Sequence, residues 1–116
     1  MPTNNHIEFK ANDLVAIKEF YSSVFGWEFT DYGENYTSFS STNSGINGGF
    51  EQTDERIVNG SLIVLANDNL EETQQKVEAA TGVIKVPIFS FPGGKRFQLL
   101  DPSGNELAVW MEVNEE

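Results

Sequence analysis

The stretch from residue 5 to residue 11 alternates between polar and apolar side chains. Such alternation predicts a strand with His6, Glu8 and Lys10 on one face and apolar residues on the other. Apolar residues then recur at helical spacing through Phe25, with Asn12 or Asp13 in position to cap the helix start. The glycine that follows is typical of a helix end.

Three further strands are predicted in the first half of the chain. They cover residues 27–32, 36–41 and 48–52, and residues 42–47 between the last two have the composition of a loop. The last strand begins with Gly48 and Gly49, which predicts either a close approach by a ligand or a β-bulge. Residues 54–60 form a polar connector.

The second half of the chain follows the same plan. An apolar strand at 61–66 precedes a helix capped at Asp68 and stopped near Gly82. Extended segments follow at 83–91, 95–100 and 106–112. The last two are joined by a turn with the sequence Asp-Pro-Ser-Gly-Asn.

These matching plans predict an internal duplication. A shift of 56 residues superimposes Leu14 on Leu70 and Gly26 on Gly82, and a shift of 55 places His6 on Ser61. We therefore expect one domain over residues 1–116, with module one at about 5–53, the connector at 54–60 and module two at about 61–112. A cleft between two such modules is a natural ligand site.

Composition narrows the function classes. The chain has 18 acidic and 7 basic residues, so its net charge of −11 disfavours nucleic acid and anionic membrane surfaces as partners and mildly favours neutral or cationic ligands. Cysteine is absent, which removes thiolate nucleophiles and disulfides. The first residues have no export signal and no segment is long and apolar enough to span a bilayer, so we expect a cytoplasmic protein.

Three motifs in order resemble the superfamily of glyoxalases, bleomycin-resistance proteins and extradiol dioxygenases, known as vicinal oxygen chelate proteins. They are HIEFKANDLVAIKEFYSSVFGWEF, GINGGF and RFQLLDPSGNELAVW, and the second is similar to small bacterial proteins related to lactoylglutathione lyase. The resemblance implies an α+β fold of two βαβββ modules whose curled mixed sheets surround a concave pocket. It also implies that two chains often pair as a homodimer.

The resemblance further implies four metal-ligand positions. The first falls on His6, the second on Ser61, the third on Gly48 or Gly49, and the fourth on Ala108. Only the histidine is a good donor, whereas zinc requires three or four donors and oxygen-activating iron requires two histidines and a carboxylate. A divalent metal ion held by His6 in a rearranged site would need other donors, and the candidates are Glu8, Glu51 and Glu106.

Three functions remain open from the sequence. The first is a protein that binds a small organic molecule in a sheet-lined pocket after losing most metal ligands of the family. Its pocket would include Glu8, Ser61, Glu106 and Ala108 beside the paired glycines 48 and 49, with Trp110 as a flat wall for a ligand ring. The second is a glyoxalase-type lyase or isomerase with His6 as metal ligand or catalytic residue. The third is a non-catalytic interaction domain.

Overall fold

A computed structural model describes residues 5–113 of the chain and shows eight strands and three helices. In chain order the elements are β1 (Ile7–Ala11), α1 (Leu14–Phe25), β2 (Phe29–Asp31), β3 (Tyr36–Phe39), α2 (Ser41–Ser44), β4 (Gly48–Gln52), β5 (Ile63–Ala66), α3 (Leu70–Ala79), β6 (Val83–Phe91), β7 (Gly94–Leu100) and β8 (Glu106–Glu112).

The strands form two four-stranded mixed sheets, ordered β1-β4-β3-β2 and β5-β8-β7-β6. In each sheet the strand that comes first in the chain pairs in parallel with the strand that comes last, β1 with β4 and β5 with β8. The remaining pairs are antiparallel. This topology confirms the predicted α+β fold of two βαβββ modules. It excludes a ferredoxin-like βαββαβ sandwich, which would have half as many strands.

Helix α1 begins and ends where the sequence predicts. The Asp13 side chain accepts a hydrogen bond from the backbone N–H of Ala16 at 3.1 Å, which caps the first turn. Gly26 takes a left-handed conformation with φ of 73° and closes the last turn. The helix thereby holds one apolar stripe against both sheets, formed by Leu14, Ile17, Phe20, Tyr21 and Val24.

Helix α3 differs from the prediction at both ends. Its N-cap is Asn69 and not Asp68, because the Asn69 side chain accepts a hydrogen bond from the backbone N–H of Glu72. The left-handed residue after the helix is Thr81, with φ of 71°. Gly82 has a packing role instead, since a Cβ there would lie 2.7 Å from the ring of Phe20.

Two local features were missed or misplaced by the sequence pattern. Residues predicted as a loop contain the short helix α2, and Gly94 belongs to strand β7 and not to the preceding turn. Neither error changes the order of strands.

One hydrophobic core joins the two modules. Trp27 is 3% exposed and stacks on Tyr21 with ring centres 4.7 Å apart, so it packs helix α1 onto the sheet. Its ring centre also lies 4.5 Å from that of Phe39. The faces of the two sheets that turn away from this core carry the side chains available to ligands.

The Asp-Pro-Ser-Gly-Asn turn ties module two to module one. Asp101 accepts hydrogen bonds from the backbone N–H groups of Ser103, Gly104 and Asn105, at 2.9–3.0 Å, and from the Tyr21 hydroxyl at 2.8 Å. Burial raises the pKa of the Asp101 carboxyl, and the hydrogen bond from Tyr21 opposes that rise. The Asn105 amide donates to the backbone oxygen of Lys10 at 2.8 Å. The turn therefore fixes the end of strand β1 against the start of strand β8.

Within residues 5–113 no helix is long and apolar enough to cross a bilayer.

Candidate functional site

The exposed face of the first sheet carries a polar cluster that we call the polar face, formed by His6, Glu8, Lys10, Tyr36 and Glu51. Alternation along strand β1 places its charged residues here and its apolar residues in the core. The His6 Nε2 atom contacts a carboxylate oxygen of Glu8. The Tyr36 hydroxyl donates to the same carboxylate oxygen at 2.9 Å and lies 3.2 Å from His6 Nε2.

Tyr36 reaches this position because Gly49 has no side chain. A Cβ at Gly49 would lie 2.1 Å from the Tyr36 hydroxyl and 2.8 Å from the backbone oxygen of Thr37. The pairing of β4 with both neighbours has no register shift, so the predicted β-bulge at this glycine pair is wrong. The close approach is made by a side chain of the protein itself. Tyr36 was missed as a site residue, because its place opposite Glu51 depends on the pairing of β3 with β4.

The electrostatics of the polar face follow from this packing. Burial, together with the hydrogen bond to Glu8, raises the pKa of Tyr36 to about 12. Lys10 pairs with Glu51 across the parallel strands, and that carboxylate raises the pKa of the lysine. Tyr36 therefore stays protonated at neutral pH and acts as a hydrogen-bond donor.

A groove of about 490 Å³ runs between strand β1 and the connector. It brings together three residues that were predicted for the pocket, namely Glu8, Ser61 and Glu106. Asn59 holds the connector in place, since it accepts a hydrogen bond from the backbone N–H of Glu106 at 3.0 Å and donates to the backbone oxygen of Gly104 at 2.9 Å. The connector is thus a wall of the groove.

Ser61 lines the groove but does not lie on a strand. Strand β5 begins at Ile63, so the predicted strand start at residue 61 is wrong. A single shift of 56 residues relates β1 to β5 and α1 to α3, as the first residues 7 and 63 and the first residues 14 and 70 show. The 55-residue shift is therefore wrong as well, and the position in module two that matches His6 is Leu62.

The exposed face of the second sheet, which we call the aromatic face, carries Phe89 and Trp110 together with polar residues such as Arg96 and Gln98. Its central row runs across four strands through residues that are direct partners in the register, Phe89, Arg96, Trp110 and Ala66. Trp110 is half-buried and borders a hollow of about 480 Å³ with Ala66 and Met111.

The other predicted pocket positions are buried. Ala108 is fully buried between Val64 and Gln98, its partners on the neighbouring strands. Gly48 and Gly49 are buried as well, the latter beneath the Tyr36 ring. The structure therefore places Trp110 and His6 on different sheets, apart from the groove that holds Ser61.

The negative charge of the Glu106 carboxylate is balanced by contacts with neighbouring side chains. Lys85 donates to its carboxylate at 2.9 Å and Gln98 at 2.8 Å. The lysine is the main cause of a lowered pKa at Glu106, and the Gln98 hydrogen bond adds to it. This carboxylate is committed to contacts within the protein and is not a ready metal ligand.

Within residues 5–113, the side chains at the family's metal-ligand positions supply too few donors for a metal site of the family type. His6 and Glu8 provide two donors that already contact each other, while Gly49 and Ala108 provide none. Within the described part of the chain no three histidine, cysteine, aspartate or glutamate side chains are grouped so that they could hold a metal ion. A structural or catalytic zinc needs at least three protein donors.

Comparison with known proteins places the chain in a family. Residues 3–109 match the family model described as Glyoxalase/Bleomycin resistance protein/Dioxygenase superfamily. No curated protein matches the chain.

Solved structures share the fold at low sequence identity. A glyoxalase/bleomycin resistance protein/dioxygenase family enzyme from Burkholderia phytofirmans PsJN superimposes with a TM-score of 0.80 at 16% identity, over 93% of this chain and 97% of that one. The fosfomycin resistance protein FosX from Listeria monocytogenes has a TM-score of 0.80 at 15% identity, over 97% of this chain and 95% of that one. A glyoxalase-related enzyme from Fulvimarina pelagi has a TM-score of 0.77 at 17% identity, over 97% of this chain and 89% of that one. The chain belongs to the glyoxalase/bleomycin resistance/dioxygenase superfamily.

Proposed function

We propose that the protein binds a small organic molecule on the aromatic face, with Trp110 as the main contact. The observation that carries the proposal is the half-buried indole of Trp110 on the exposed sheet face, with the apolar Ala66 as its direct partner. Val64, on the neighbouring strand of that face, is 44% exposed. Burying these groups beneath a ligand would contribute about 25 cal/mol for each Å² of apolar surface removed from water.

The contrast between the two sheets supports this choice of face. Glu8 and Lys10 of the first sheet correspond, by the 56-residue shift, to Val64 and Ala66 of the second. Glu51 pairs with Lys10 in the first sheet and Trp110 pairs with Ala66 in the second, so these two residues occupy equivalent places in the strand register. At these matched positions the first sheet carries charged side chains and the second carries apolar ones, which suit an organic ligand.

The family and its neighbours are consistent with such a ligand. Bleomycin resistance is part of the family's description, and one similar structure is a fosfomycin resistance protein. Both names refer to antibiotics, which are small organic molecules. They support the class of ligand without identifying it.

A screen of small aromatic compounds by ligand-observed NMR tests the proposal. We expect hits whose binding is lost in Trp110→Leu and kept in Tyr32→Leu. Tyr32 is a matched control because it is an aromatic residue, 64% exposed, that directly follows strand β2 of the other sheet. Hits that bind Trp110→Leu as well as the wild type would contradict the proposal.

A second candidate is a divalent-metal lyase or isomerase of glyoxalase type that uses His6. The contact of His6 with Glu8, and the nearby Tyr36 hydroxyl, favours it. Since one chain supplies two donors, this function requires further donors from outside the described residues. Metal retention by the wild type and by His6→Ala tests it, as set out in the Discussion.

We also infer that two chains pair as a homodimer. Strands β1 and β5 each end a sheet, and within residues 5–113 no strand pairs with their outer edges. Such edges are sites where another chain can add. Light scattering after size-exclusion chromatography should give twice the chain mass of 12.9 kDa, and a mass of one chain would contradict the inference.

A further inference from the structure

Arg96 is an unpaired cation on the aromatic face. All five lysines of the chain form ion pairs with carboxylates, namely Lys10, Lys18, Lys76, Lys85 and Lys95. Neither arginine, Arg56 or Arg96, forms an ion pair with any residue between 5 and 113, although the chain has 18 acidic residues. Arg56 is exposed on the connector, whereas Arg96 is partly buried on a sheet, where an unpaired cation calls for an explanation.

The guanidinium of Arg96 is held by aromatic rings. Its central carbon lies 5.5 Å from the ring centre of Phe89 and 6.0 Å from that of Phe91. A cation–π contact of this kind uses no N–H donor of the guanidinium. The Nε atom is buried and has no hydrogen-bond partner among the described residues. Buried polar atoms without a partner are rare in folded proteins, and a bound water, an ion or a ligand is one explanation for each.

The neighbours of Arg96 do not supply the missing anion. Trp110 lies directly opposite on strand β8, so the arginine stands beside the proposed ligand surface. Glu106, further along the same strand, is already held by Lys85 and Gln98. The guanidinium thus remains available to an anion from outside the described chain.

We propose that Arg96 recognises a carboxylate, so that the ligand of the aromatic face is an organic acid with a flat apolar or aromatic body. Guanidinium and carboxylate match as a bidentate pair, and the ligand body would lie over Trp110. This inference rests on the proposed function and deepens it. The net charge of −11 by itself favours a neutral or cationic ligand, and Asp68 and Glu112 border the hollow beside Trp110, so the carboxylate would be met by Arg96 itself.

A pair of probes that differ only in charge tests this proposal. Naphthalene-2-carboxylate and naphthalene-2-carboxamide have nearly the same shape, and their affinities can be measured by calorimetry. For the wild type we expect the carboxylate to bind at least about tenfold more tightly, since hydrogen bonds between charged groups are stronger than neutral ones. Added salt should weaken the binding of the carboxylate and leave the affinity of the carboxamide unchanged.

The variants separate charge from fold. Arg96→Gln should abolish the preference for the carboxylate, Arg96→Lys should keep part of it, and Arg56→Gln, a change of an exposed arginine on the connector, should leave it intact. Thermal unfolding shows whether each variant is folded. The Arg96 Nε–H signal of the wild type gives a second readout, and it should shift with the carboxylate only.

Three results would be decisive against the proposal or its basis. Equal affinities of the two probes for the wild type, both lost in Trp110→Leu, would overturn carboxylate recognition and leave the proposed function standing. A preference that survives in Arg96→Gln would overturn the role of Arg96. Failure of both probes to bind the wild type would count against the inference and against the proposed aromatic ligand surface together.

Discussion

The ring of Tyr36 passes directly over Gly49, and the space that a Cβ would occupy is filled by the phenol. A methyl group at Gly49 would lie 2.1 Å from the Tyr36 hydroxyl. This glycine therefore allows Tyr36 to reach Glu8 and His6, and the polar face depends on it.

Gly49→Ala should destabilise the protein and displace Tyr36. We expect a loss of about 1–3 kcal/mol in the free energy of unfolding, as is typical when a methyl group is forced into a packed site. Gly60→Ala is the matched control, since nothing lies within 4 Å of a Cβ at Gly60. Chemical denaturation measures both variants, and equal stability of the two would contradict the account.

Tyr36 should titrate about two pH units above an ordinary tyrosine. Its pKa is raised to about 12 by burial first and by the Glu8 carboxylate second. Glu8→Gln should lower the pKa of Tyr36 only in part, because burial remains. The absorbance of the phenolate, taken as the difference between each protein and its Tyr36→Phe version, measures this.

The sign of the corresponding stability change follows from the same pKa. The folded protein holds the Tyr36 proton more tightly than the unfolded chain, so stability falls as the pH rises from about 10 to about 12. The fall should be smaller in Glu8→Gln, while Glu78→Gln on helix α3 should match the wild type. An unchanged titration in Glu8→Gln would show that the 2.9 Å hydrogen bond does not hold in solution.

Tyr21→Phe should weaken the contact between the modules. The change removes the 2.8 Å hydrogen bond to Asp101, which is 3% exposed, and leaves its carboxylate one donor short. Loss of a partner for a buried polar group costs about 1–3 kcal/mol. Tyr32→Phe, at a residue 64% exposed, should have little effect. Equal unfolding midpoints for the two variants would contradict the role given to Tyr21.

Metal retention distinguishes the two candidate functions. After exposure to Ni²⁺, Zn²⁺, Mn²⁺ or Fe²⁺ and desalting, we expect the wild type to keep far less than one ion per chain. The reason is that His6 and Glu8 supply two donors and zinc requires at least three. About one ion per chain, lost in His6→Ala and measured by elemental analysis, would favour the lyase or isomerase.

The sequence predicts the fold well because the signals that set it are local. Periodicity locates the strands and both long helices, while Asp13 and Gly26 fix the ends of helix α1 through contacts within a few residues. The end of helix α3 was misplaced because Thr81, and not the following glycine, takes the left-handed conformation. Glycine takes a left-handed conformation most easily, so the sequence favoured Gly82 for this position. In the structure Gly82 packs against the Phe20 ring instead.

The candidate site was only partly predictable, since it depends on contacts across strands. Alternation placed His6 and Glu8 on one face, but the reach of Tyr36 over Gly49 depends on the pairing of β3 with β4. Arg96 gave no signal in the sequence. Its importance follows from the register that sets it between Phe89 and Trp110, and from the absence of an ion pair to any residue from 5 to 113.

The most direct test of the central claim follows the two indole N–H signals in a ¹H–¹⁵N spectrum during titration with naphthalene-2-carboxamide. Trp27 is 3% exposed, and Trp110 is half-buried on the aromatic face. We predict that the Trp110 signal shifts and saturates while the Trp27 signal stays in place. If neither signal moves, or only that of Trp27, the aromatic face is not the ligand site.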